Sequence, residues 1–438
     1  MTTLNKPGPD GPGIFSFITL GCKSNQYDSA AMAAELEKAG FSRGPVSGAQ
    51  VIVINTCMVT GSTEAQCRKA IRQAKRSSVG GKIVVSGCMS AGSKDQIENM
   101  EEVDLVIEPS EKGMLLELLG VEGLRSWTDW PEDPAVDLGD RDRGFLKVQD
   151  GCDANCTYCI VPIVRGRSRS LEPDVILDSV QRLMDRGVSE VVLSGIHLGQ
   201  YGSDLVPVYS LEDLLVRLLE KGLPGRIRLS SIEPLEITGR LIEILAGADG
   251  GICRHIHIPL QSGSDEILRA MGRPYRSAHF IDAVRLLKKS VPGIGIGCDV
   301  ICGFPGESEQ DFNQARDLIK ELQIPFVHAF PFSPRPGTKA ALMKDDVPHH
   351  VKKDRVLKLR ELAETNRHLF ASSFVGETLQ IAVESRTDES GRLIGLSDNY
   401  LKVAVDKTAE GLVPGRTVDV RVKSMEGDCL VGQRTGGV

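Results

Sequence analysis

The chain has 438 residues, 41% hydrophobic and 25% charged, which is room for roughly two to four domains with ordinary globular cores. A net charge of −7 excludes the strongly basic composition that announces a nucleic-acid partner, and no apolar run approaches the about 18 residues of a membrane span. Eleven cysteines behind a lead-in (MTTLNKPGPDGPG) with no signal-peptide pattern argue against a disulfide framework, for metal or cluster ligation, and for a cytoplasmic protein.

After that lead-in, expected to be disordered, residues 14–20 (IFSFITL) read as a buried strand ended by Gly21-Cys22. A helical pattern from about Asp28 to Ala39 follows, with Gly40 as its stop. VIVIN (51–55) is a second strand, ending at Thr56-Cys57, and a helix over about 63–76 comes next. KIVVS (82–86) is a third, ending at Gly87-Cys88, and VDLVI (103–107) a fourth. Strands alternating with helices predict a small parallel α/β domain, assigned to 14–125. The Asp-, Glu- and Pro-rich stretch from Trp127 to Arg143 reads as a linker.

A second α/β run, assigned to 138–370, opens at Phe145. Its strands are expected near 190–194, 226–230, 254–258, 294–301 and 326–330, separated by helices, which suits a partial or full (βα) barrel. A charged helix spans about 350–370. From 372 to 438 the texture changes to five short alternating strands between turn residues, the pattern of a small oligonucleotide-binding-like β-barrel.

DGCDANCTYCIVPIVRGRSRS places Cys152, Cys156 and Cys159 as C-x3-C-x2-C. Thiolates suit iron–sulfur clusters, and three of them leave one iron of a cubane open, which signals catalysis. A zinc site with a remote fourth ligand is the alternative reading of the same spacing. Cys22, Cys57 and Cys88 are far apart in sequence, yet each directly follows a predicted parallel strand, so one sheet edge would gather them as a second cluster site. Cysteines 67, 253, 298, 302 and 429 join no ligand pattern and are expected to pack.

The cysteine loop resembles the radical S-adenosyl-L-methionine (SAM) family, with Tyr158 as the aromatic that family carries before its last cysteine. SGIHLGQYG (194–202), HIPLQSGSD (257–265) and CDVICGFPGES (298–308) resemble its cofactor-binding segments; Gly195, Gln261, Gly303 and Gly306 are the residues this resemblance assigns to SAM. TLGCKSNQYDS, INTCMVT and SGC resemble the methylthiotransferases, over almost the whole chain from Phe15 to Gln433. The resemblance implies a methylthiotransferase N-terminal domain, a radical SAM barrel and a C-terminal TRAM domain. It implies two 4Fe-4S clusters, one on each cysteine triad, with SAM both as methyl donor and as radical source, and methylthio replacing a substrate hydrogen. It further implies a monomer served by an electron donor such as flavodoxin or ferredoxin. It names no sulfur donor.

Members of the family act on a tRNA adenosine beside the anticodon or on an aspartate of a ribosomal protein. Lys23-Ser24-Asn25-Gln26-Tyr27 after the first cysteine is closest to the branch acting on N6-threonylcarbamoyladenosine; isopentenyladenosine and the ribosomal protein are the alternatives. Candidate RNA contacts are Arg68 and Arg72 on a stripe with Lys75 and Arg76, then Arg165 and Arg167 behind the cysteine loop, then Arg386, Lys402, Arg421 and Lys423 in the last domain. A solvated helix face explains the stripe equally well. From Ser372 onward acidic residues outnumber basic ones, so only a local patch there can meet RNA.

Overall fold

A computed structural model describes residues 13–58, 61–78, 80–121, 126–136, 142–407 and 411–435, apart from the Ser62 side chain; residues 1–12 of the predicted disordered lead-in (1–13) lie outside them, as do 137–141 of the predicted linker. The N-terminal domain contains β1 (Ile14–Thr19), β2 (Ser42–Arg43), β3 (Val51–Thr56), β4 (Lys82–Gly87) and β5 (Leu105–Val106), all parallel in the order β2-β1-β3-β4-β5. Every residue of β3 is buried, as a central parallel strand covered on both faces requires. The first helix is Lys23–Lys38, so it begins five residues before the predicted Asp28, with Cys22 as its extended N-cap. Its first turns hide from periodicity because Asn25 and Asp28 are polar yet buried, each bonded to another element.

Six strands make the central domain: β6 (Gly144–Lys147), then, past the short hairpin of β7 (Gln149–Asp150) and β8 (Arg169–Ser170), β9 (Glu190–Ser194), β10 (Arg226–Leu229), β11 (His255–His257), β12 (Gly295–Cys302) and β13 (Phe326–Pro331). They pair in parallel as β6-β9-β10 and β11-β12-β13, and the bridges Ile227↔Ile252 and Ser231↔His257 stitch the halves together. Among the described residues β6 and β13 do not pair, so the barrel is partial. Helices such as Pro173–Asp185 and Ser277–Ser290 bury Val180, Leu183, Phe280 and Val284 against its outer face.

The helix His349–Ser372 leads to β14 (Thr378–Thr387), β15 (Leu393–Ser397), β16 (Lys402–Val405), β17 (Thr417–Glu426) and β18 (Cys429–Arg434), which close into a barrel in the order β14-β15-β16-β18-β17. This barrel plugs the N-terminal end of the central one. Arg226 and Arg228 both pair with Glu190, and their remaining donors reach the carbonyls of Gln380, Leu396, Ser397 and Asp398. Tyr400 stacks on His255 beneath Arg228, with ring centroids 4.2 Å apart. The predicted linker is likewise pinned where it is described: Tyr27 donates to the Pro134 carbonyl, and Ala135 and Val136 are buried. Among the described residues no helix is long and apolar enough to cross a membrane.

Candidate cluster sites

β1, β3 and β4 are neighbours in the sheet, and Cys22, Cys57 and Cys88 follow their C-terminal ends, so the three cysteines stand along one edge of the sheet. The chain turns sharply there. Gly87 has φ +93°, and a Cβ on it would lie 2.3 Å from the Thr56 carbonyl oxygen, so glycine is required where the strand hands over to Cys88. Asn25 locks the edge by donating to the carbonyls of Leu20 and Thr56. Cys67 packs alongside, its sulfur accepting from the Cys57 amide, as a buried structural thiol does.

Cys152, Cys156 and Cys159 lie on the loop between β7 and the helix Val161–Arg165. Gly151 opens this loop at φ +73°, where a Cβ would lie 1.9 Å from the Arg167 carbonyl oxygen. Two charged side chains hold the thiols from outside. Arg273 donates to Cys156 Sγ at 2.9 Å and pairs with Glu233. His197 Nδ1 lies 3.6 Å from Cys152 Sγ, and its Nε2 is 2.7 Å from Glu236. Burial would lower the His197 pKa, but the Cys152 and Glu236 contacts raise it to about 10. Burial pushes the Cys159 thiol up to about 12, so a metal bound there displaces a proton. Sequence reasoning missed Arg273, Glu233, His197 and Glu236 because no local spacing links them to the cysteines.

Thiol-only donor sets are of the kind iron–sulfur clusters take. A lone zinc draws its ligands to about 2.3 Å and hence to within about 4 Å of one another. Among the described residues only His257, Asp299 and His328 bring three potential ligand atoms within 4.8 Å; neither cysteine triad does. No disulfide consumes any of the eleven cysteines.

The segments that carry Cys88 and Cys159 adjoin one interface. The helix Cys88–Gly92 packs on the helix Val161–Arg165, and Ile160 joins Met58 and Met89 in one apolar cluster. Behind it lies a buried charge network. Arg165 donates to both Asp150 oxygens and to Asn25 Oδ1, while Lys147 and Lys112 bridge Asp28 and Asp150. Burial pushes the Asp28 carboxyl up, yet Lys112, Lys147 and Arg165 hold it down to about 2. Three cations against two carboxylates leave one surplus positive charge, and the Arg165 guanidinium bears electrostatically on the Cys88 thiol, countering the upward push of burial there. That surplus suits an anionic thiolate or cluster.

This placement corrects one expectation. Arg165 is 4% exposed and tied to Asp28, Asp150 and Asn25 inside the protein, so it is not an RNA contact. Arg68 pairs with Glu64, Arg72 with Glu102, Arg386 with Glu384 and Lys402 with Asp428, although Glu64 is shared with Arg335 and Glu384 with Arg143. Arg167 is exposed beside the cysteine loop with Asp153 for a partner, and Arg421 and Lys423 are exposed on one face of β17. Of the residues assigned to SAM, Tyr158 packs against the cluster of Phe304 and Phe332. Gly195 accepts no side chain, since its Cβ would lie 2.8 Å from Gln149 Oε1. Gln261 sits at φ +61°, bridged to Val300, and Gly303 and Gly306 take positive φ in the turn after β12.

Three family models match the chain: an uncharacterized protein family, UPF0004, over 15–108, the Radical SAM superfamily over 146–319, and the TRAM domain over 372–433. The chain is 38% identical over 424 residues to a threonylcarbamoyladenosine tRNA methylthiotransferase, MtaB, of Bacillus subtilis, covering 93% of each. It is 34% identical to the protein of that name from Thermotoga maritima, covering 95% of this chain and 96% of that one. A tRNA-2-methylthio-N(6)-dimethylallyladenosine synthase of Thermus thermophilus is 33% identical, over 98% of this chain and 94% of that one. Among solved structures, the radical SAM methyltransferase TsrM from Kitasatospora setae, with cobalamin and a 4Fe-4S cluster bound, matches in fold at a TM-score of 0.55 and 15% identity, covering 76% of this chain and 77% of that one.

Proposed function

The chain belongs to the methylthiotransferase family of radical SAM enzymes, and on that premise we propose that it converts N6-threonylcarbamoyladenosine beside the anticodon of tRNA to its 2-methylthio derivative. Relatives named for that substrate, matched almost end to end, support this choice. The observation that carries the chemistry is the packing of the helix Cys88–Gly92 on the helix Val161–Arg165, which brings the segments that carry Cys88 and Cys159 to one interface. Sulfur transfer between two centres needs them close and oriented.

In this reading Cys152, Cys156 and Cys159 hold the 4Fe-4S cluster that binds SAM. Bound there, cluster and cofactor supply the one-electron reductive cleavage that yields an organic radical. The protein's share is orientation and exclusion of water. Arg273 and His197 fix two of the thiolates, Tyr158, Gly195, Gln261, Gly303 and Gly306 bind the cofactor, and Phe304 and Phe332 dry the side behind Tyr158. Cys22, Cys57 and Cys88 hold a second cluster that bears the sulfur. Arg167, Arg421 and Lys423 serve the tRNA backbone, and a flavodoxin- or ferredoxin-like donor supplies electrons to a monomer.

The test is mass spectrometry of tRNA nucleosides from cells lacking the protein, paired with incubation of the anaerobic enzyme with each modified tRNA. Loss of the methylthio form of threonylcarbamoyladenosine alone is the expected result. Loss from dimethylallyladenosine would assign the chain to the substrate named for its Thermus relative.

A further inference from the structure

On β11, β12 and β13, Ile256, Ile258, Cys298, Val300 and Ala329 pack into the core beneath the outer helices. Alternation along a strand therefore turns His257, Asp299 and His328 to the opposite face, the lumen of the partial barrel. Asp299 and His328 are register partners on adjacent strands. His257 pairs with Gly297, where a side chain is excluded because a Cβ would lie 2.6 Å from His257 Nδ1. The two imidazoles stack with centroids 5.3 Å apart. His257 Nε2 lies 3.1 Å from Asp299 Oδ2, and His328 Nδ1 lies 3.4 Å from Asp299 Oδ1.

We propose that His257, Asp299 and His328 form a mononuclear site for a first-row divalent cation on the lumen wall. One ligand atom from each comes within 4.8 Å of the other two, the spacing a single ion closes upon. Two imidazoles and one carboxylate on one face are a donor set for zinc or ferrous iron with positions left open. The open side is the lumen, since the His257 side chain is 12% exposed but that of His328 is 60% exposed. The ion's remaining positions take carboxylate or hydroxyl oxygens of whatever enters the barrel. The site lies beside a residue proposed for the cofactor, since Gln261 N donates to the Asp299 carbonyl, but its sulfur-free donors belong to neither cysteine triad, so metal binding is read apart from the reaction.

The test uses zinc chloride as probe. Anaerobic holoenzyme with its clusters loaded is equilibrated with the salt, dialysed and assayed for zinc by elemental analysis and for ligand type by zinc-edge X-ray absorption. The expected result is one zinc per chain in a nitrogen and oxygen shell at about 2.0–2.2 Å. His328→Ala, an exposed and structurally mild change, and Asp299→Asn should each weaken zinc binding at least tenfold, with iron and sulfide content unchanged as the check on folding. Zinc missing from the wild-type holoenzyme, zinc bound through sulfur, or zinc retained in full by both variants would overturn the proposal. Methylthiolation of tRNA is measured separately, so failure of the metal site leaves the proposed reaction standing, and the reverse.

Discussion

Each triad cysteine carries its own expectation. Cys156→Ala removes one of the three proposed ligands of the SAM-binding cluster, so cleavage of SAM to 5′-deoxyadenosine should fall to background. Cys57→Ala should keep that cleavage, lose about half of the chain's iron if two equal clusters are bound, and abolish methylthio transfer; full transfer by this variant would remove the second cluster from the account. Arg273 spans Cys156 and Glu233, so Arg273→Met leaves a half-buried thiolate and a carboxylate without their donor. Partners of this kind are worth about 10–100-fold in metal affinity or activity. That loss should appear both in cluster retention and in cofactor cleavage, and Arg273→Lys should recover part of it. The cysteines were legible because their residue type and spacing are local facts. Arg273, His197 and their carboxylates were not, because they reach the loop from segments distant in sequence.

At the level of elements, β9 and β10 bring Glu190, Arg226 and Arg228 together at the foot of the barrel, all three buried. Glu190→Ala strands two buried guanidinium groups and should destabilise the protein by about 3–5 kcal/mol, read as a lowered denaturant midpoint. Arg228 and Arg226 hold the Glu190 carboxyl well below its ordinary value against the upward push of burial. Its contribution to stability is therefore present above the unfolded value of about 4.3 and is lost as pH falls below it. Denaturation curves across that range should show a loss of stability on acidification that Glu190→Gln reduces; an identical acid limb in the variant would refute the assignment. Strand alternation located these elements well, to within a residue or two through the central barrel. Periodicity failed at the start of the first helix, where buried Asn25 and Asp28 break the apolar stripe, and the composition that marks 127–143 as a linker does not show that Pro134, Ala135 and Val136 are held by contacts distant in sequence.

Over the whole molecule the charge is negative, so tRNA must be met by local patches. Among the proposed contacts Arg421 and Lys423 are exposed together on β17, whereas the cationic stripe at Arg68 and Arg72 is matched by carboxylates. Replacing both Arg421 and Lys423 by alanine should weaken tRNA binding and reduce the slope of log affinity against log salt by about 2. Arg165→Ala should act differently. It should leave that slope unchanged and lower stability instead, because Asp28, Asp150 and Asn25 lose a buried donor. A reduced slope in Arg165→Ala would return this residue to the RNA surface.

Residue type, spacing and strand order by themselves determined the cysteine triads, the three-part architecture and the kind of chemistry, because ligand chemistry and backbone periodicity are written locally. Tertiary structure alone decided which arginine is a surface charge and which is an interior tie, what holds Cys152 and Cys156 from outside, and that two histidines and an aspartate from three strands face one another in the lumen. Those outcomes depend on burial and on neighbours contributed by other segments, and no window along the chain contains them.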